Sequence, residues 1–154
     1  MRSLINYLTV LLLALPGAAS QAADLRIHAP YVRLPPPGAV ATGAFMRIEN
    51  SAASDRQLVR AESPAAKTVE LHTHINEGGM MKMRAVSSIA IKSGGQTELK
   101  PGSFHIMLIG LIQPLKAGET LPITLIFDDH SQQQINAPIR PIHAEGAAHG
   151  GMNH

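Results

Sequence analysis

The chain has 154 residues, with 13 Lys and Arg against 11 Asp and Glu, and no cysteine. So balanced a charge leaves no electrostatic footprint for nucleic acid or an anionic membrane. The missing cysteines exclude disulfides, thiolate metal ligands and a cysteine nucleophile, so a chain of this length must be stabilised by packing in one hydrophobic core.

The chain opens with a basic start at Arg2, an apolar run from Leu8 to Leu15, and small residues ending in Ser20-Gln21-Ala22. This order predicts a secretory signal peptide over 1–22, cleaved after Ala22, and therefore export to the periplasm. The apolar run is too short for an ordinary membrane span, so no stable membrane insertion is expected once it is removed.

Residues 23–141 are predicted to form one β domain. Strand-like runs appear at Leu25 to Leu34, Ala41 to Ile48, Gln57 to Ala61, Thr68 to Ile75 and Met80 to Val86. They continue at Ile89 to Lys92, Glu98 to Lys100, Phe104 to Ile112, Leu121 to Phe127 and Gln133 to Ile139. Turn residues such as Pro35-Pro36-Pro37-Gly38, Glu77-Gly78-Gly79 and Pro101-Gly102 separate them, as in an antiparallel sandwich or barrel. Phe104 to Ile112 is apolar at nearly every position, which places it at the centre of the fold or against a site. Residues 142–154 are small and polar, with His143, His149, Met152 and His154, and predict a flexible tail.

Ten residues separate His72 from Met83, and twenty-one separate Met83 from the pair His105 and Met107. Side chains two apart on a strand share a face, which groups His105 with Met107, His72 with His74 and Glu70, and Met81 with Met83. If these three strands converge, two imidazoles and two thioethers can surround one ion. Thioethers are soft and uncharged and favour Cu(I), whereas zinc sites draw on cysteine, histidine and carboxylate, and calcium on oxygen. The alternative for each residue is ordinary: a lone methionine is usually core filler and a lone histidine a satisfied polar group. That ordinary reading is taken for Met46, Met80, His28 and His130. His74 and Met81 are auxiliary candidates.

The spacing at His72, Met83, His105 and Met107 resembles that of the periplasmic copper chaperone family PCu(A)C, whose pattern is His, ten residues, Met, twenty-one residues, His-x-Met. The surrounding Val69-Glu70-Leu71-His72, Met81-Lys82-Met83-Arg84 and Pro101-Gly102-Ser103-Phe104-His105 agree with it, and the resemblance runs over about residues 24–140. It implies a cupredoxin-like antiparallel β-sandwich of Greek-key type. It also implies a Cu(I) metallochaperone that supplies a copper-accepting protein such as a cytochrome oxidase subunit, with another copper chaperone as a further candidate partner. His74 is a departure, since relatives often carry Met there. The tail resembles the His/Met-rich extension of some members, which implies a second copper held as Cu(II); incidental histidines are the alternative.

Three rivals lack their chemistry. A blue-copper carrier needs a cysteine thiolate. A histidine-brace oxygenase needs histidine as the first mature residue, and the predicted start is Ala23. A zinc hydrolase would carry a motif such as HExxH, which is absent. Copper tolerance or storage, and a sandwich without metal, remain as alternative functions; catalysis is not expected.

Overall fold

The computed structural model describes residues 24–142. The predicted signal peptide and the tail residues His143, His149, Met152 and His154 lie outside the described residues.

Alternation builds the strands. In Thr120–Phe127, the side chains of Leu121, Ile123, Leu125 and Phe127 are buried on one face, and in Ala41–Asn50 those of Ala44, Met46 and Ile48 are. Ten strands form among the described residues: β1 (Leu25–Arg33), β2 (Ala41–Asn50), β3 (Arg56–Glu62), β4 (Ala66–Glu77), β5 (Met80–Ala85), β6 (Ile89–Ile91), β7 (Gln96–Leu99), β8 (His105–Leu111), β9 (Thr120–Phe127) and β10 (Gln132–Arg140). Every run read from the sequence is a strand, with ends shifted by a residue or two.

Their order is β5-β4-β8-β2-β1-β10-β9-β3-β6, with β7 continuing beside β8 along the same edge of β2. One layer holds β5, β4, β8, β2, β7 and β1; the other holds β10, β9, β3 and β6. Ile48, Ile106, Leu108 and Leu99 from the first meet Leu58, Ile89, Ile123, Leu125 and Phe127 from the second in the core. All pairings are antiparallel except one: β1 runs parallel to β10, with Val32 opposite Ile139 and Arg33 opposite Arg140, and this pair joins the layers. Met46 is core, as expected, but Met80 is exposed rather than filler, because β5 lies at the sheet edge with no layer over it.

Two bulges reset the alternation. In β3 the register shifts between Leu58 and Arg60, so burial passes from Leu58 to Ala61. In β1 it shifts between His28 and Tyr31, where Ala29 has a φ of 47°. Ile27 before the bulge packs on the core and Val32 after it is fully buried, which turns Tyr31 and Arg33 to the opposite, outer face.

Candidate metal centre

The outer face of the first layer carries the predicted donors, and strand register explains why. Ile106 lies opposite both Leu71 and Ala44 on the core side, so His105 and Met107 must project outward. His105 is directly opposite His72, and Met107 is opposite Glu70 on β4 and Gly43 on β2. On the other edge of β4, His74 is opposite Met83, Asn76 opposite Met81, and Ala85 opposite His72. His72, Met83, His105 and Met107 thus share one face across three adjacent strands, with His74 among them.

The ring centroid of His105 lies 5.6 Å from that of His72 and 5.2 Å from that of His74. His74, Met83, His105 and Met107 line one open cavity of about 430 Å³, together with Arg33, Phe45, Gly43 and the Pro101-Gly102 turn. His72 is not part of that lining. Its Nε2 lies 2.7 Å from Glu70 Oε2, and its Nδ1 is buried without a hydrogen-bond partner. A carboxylate only accepts, so Nε2 carries the proton and Nδ1 keeps its lone pair. Met81 is 59% exposed and outside the cavity, whereas Met83, 50% exposed, reaches it.

His105 is nearly inaccessible, at 3% exposure. Its Nδ1 lies 2.9 Å from the Ser103 carbonyl oxygen, so Nδ1–H donates there and Nε2 retains the lone pair. The same carbonyl lies 3.4 Å from His74 Nδ1. Burial holds the His105 pKa below the usual histidine value; the Ser103 carbonyl opposes that shift, and His74, His72 and Arg33 add to it. The imidazole is therefore kept neutral, the form that binds a metal.

Spacing alone did not find Phe45, Gly43, Arg33, Ser103 and Glu70. The Phe45 ring folds back over Gly43, where a Cβ would stand 2.8 Å from its Cζ. Its centroid is 6.1 Å from His105 and 5.2 Å from Tyr31. The Pro101-Gly102 turn, with Gly102 at a φ of 81°, was legible as a turn, but not as the support that aims the Ser103 carbonyl at two imidazoles. Glu70 was placed on the correct face, but its contact with His72 is new.

Among the described residues no group of three or more His, Cys, Asp or Glu could hold a metal by themselves. The donors that meet are imidazole and thioether, no carboxylate lines the cavity, and a buried lone pair on His72 has no partner. This set fits a soft, low-charge ion and does not fit calcium or magnesium.

The family model described as “Putative lipoprotein LpqE-like” matches residues 25–139. “Putative lipoprotein Lxx21020” from Leifsonia xyli subsp. xyli is 36% identical over 104 residues, 67% of this chain and 63% of its own length. “Uncharacterized protein RP573” from Rickettsia prowazekii is 35% identical over 96 residues, 62% of this chain and 53% of its own. The chain thus spans less than two thirds of either relative. The Cu(I) form of DR1885 from Deinococcus radiodurans superposes with a TM-score of 0.62 at 32% identity, covering 81% of this chain and 86% of that one. The copper-bound PCuAC domain of PmoF2 superposes with a TM-score of 0.66 at 20% identity, covering 77% and 93%, which shows a common fold, the cupredoxin-like β-sandwich.

Proposed function

The chain belongs to the LpqE-like family, and from that premise we propose that it is an exported copper metallochaperone, binding Cu(I) and passing it to another protein. The observation that carries this reading is the register of β4, β5 and β8, which sets His72 opposite His105 and His74 opposite Met83 beside Met107. The first ligands are His72, Met83, His105 and Met107, with His74 as the auxiliary. The likeness to a protein solved with Cu(I) supports the choice of ion. The lipoprotein name of one relative and the predicted leader over 1–22 support export, and the domain over 23–141 is the copper-carrying unit.

Copper is cargo here, and the residues must hold it without enclosing it. Neutral imidazoles and thioethers bind it with no charge to neutralise, and Met83, half exposed at the cavity lining, leaves the ion within reach of a recipient. The oxidase copper site is the recipient we assign, with the tail histidines as a separate Cu(II) site. Titration of the reduced protein with Cu(I) against a competing chelator, followed by addition of an apo oxidase copper domain, tests both halves. One tight equivalent and its transfer are expected. Failure to bind one equivalent would end the copper reading, and binding without transfer would favour storage or tolerance.

A further inference from the structure

Arg33 lines the same cavity as His74, Met83, His105 and Met107, yet the donor set makes no use of it. The bulge at Ala29 is what turns it there, since unbroken alternation from Ile27 would bury it. Its guanidinium lies 5.2 Å from the Phe45 ring centroid, and that ring lies 6.1 Å from His105. Arg140, opposite Arg33 on β10, stacks in turn 5.4 Å from the Tyr31 centroid. Neither arginine makes an ion pair among the described residues; Arg26, Arg47, Lys67 and Lys116 are likewise without one, but of these cations Arg33 alone lines the cavity. Aromatic faces hold both cations in place without neutralising them. Glu70, the acid opposite Met107 on β4, is bonded to His72 and lies outside the cavity lining.

We propose that Arg33 is a specificity-determining residue that makes the cavity discriminate by charge, favouring monovalent copper over Cu(II) and Zn(II). The inference rests on the copper reading. Thioether softness alone selects Cu(I) over harder ions, but imidazole accepts Cu(II) and zinc as well, and two histidines, His74 and His105, line this cavity. A fixed positive charge repels a divalent ion twice as strongly as a monovalent one. At a separation on the order of 10 Å and an effective dielectric of ~20, each unit of metal charge corresponds to roughly a tenfold factor in the binding equilibrium.

The test is the Cu(II)/Cu(I) midpoint potential of the loaded full chain, with Zn(II) binding as a second readout. Arg33→Gln should lower the potential by about 60 mV, the equivalent of a tenfold change for one electron. Arg33→Glu should lower it about twice as far, and Arg33→Lys, which keeps the charge but not the planar stack, should leave it near the wild-type value. Arg140→Gln, one ring further away, should shift it the same way by less. Zn(II) affinity should rise in the order Lys, Gln, Glu. Equal shifts for Lys and Gln would mean that stacking rather than charge is responsible, and would overturn the inference, as would a potential insensitive to Gln and Glu. Those results leave the copper reading standing. A wild-type protein that takes up no Cu(I) overturns both.

Discussion

His72 and His105 stand directly opposite each other across β4 and β8, 5.6 Å between ring centroids, and each has one ring nitrogen already committed. His72 gives its Nε2 proton to Glu70 and His105 gives its Nδ1 proton to Ser103, so the lone pairs left for a metal are on opposite nitrogens. The pair is oriented by hydrogen bonds that leave those two lone pairs free.

Replacing Glu70 tests that orientation. Glu70→Gln should weaken Cu(I) binding by roughly 10–100-fold, the usual effect of losing a carboxylate behind a ligand histidine, without changing the stoichiometry. Competition with a Cu(I) chelator measures it. Tighter binding would mean that the carboxylate holds the imidazole away from the ion.

The proposed ligand set predicts unequal contributions from His72 and His74. His72→Ala should cost more than the ~100-fold upper range typical of an indirect residue, and His74→Ala about tenfold. The comparison belongs in protein ending at Ile142, where His143, His149 and His154 cannot substitute. Equal losses would require the ligand set to be redrawn around His74, which lines the cavity when His72 does not.

Truncation after Ile142 should by itself leave one Cu(I) equivalent bound, because Met83, His105 and Met107 are all held by β5 and β8. Stoichiometry by mass spectrometry under reductant checks this. Loss of the equivalent would place the site in the tail.

Acidification should act on the metal-free fold through His105. Its pKa is lowered by burial, so folding favours the neutral ring. Stability from this group is fully present above the unfolded value of ~6.5 and is lost as pH falls through the lower folded value. Urea midpoints from pH 8 to pH 5 should fall, and His105→Gln should flatten that slope. Cu(I) affinity should fall over the same range as protons compete for imidazole, while the thioethers do not titrate.

Gly43→Ala would push a methyl group into the Phe45 ring, which is confined by Tyr31, Arg33 and His105. A loss of about 1–3 kcal/mol is expected from overpacking. Thermal unfolding measures it, and an unchanged melting temperature would show that the ring is free to move.

The ten strands of the described residues were legible in the sequence because short apolar or alternating runs are bounded by turn residues, a local property that marked even β5, which is exposed along its whole length. Phe104 to Ile112 read as central, and β8 does lie between β4 and β2. The spacing of His72, Met83, His105 and Met107 was equally plain. The bulges at Ala29 and at Leu58 were not legible, since each depends on how a neighbouring strand pairs. Extending the β1 alternation from Ile27 would have buried Arg33.

What the sequence determined by itself was the strand set, the absence of thiolate chemistry and the soft, neutral donors, all of which follow from residue type and short-range periodicity. The tertiary structure decided the rest: the neighbours of β8, the parallel bond between β1 and β10, the nitrogens left free on His72 and His105, and the cation set beside them. These depend on register between segments tens of residues apart, where a one-residue slip sends a side chain to the other face. No local pattern carries that information.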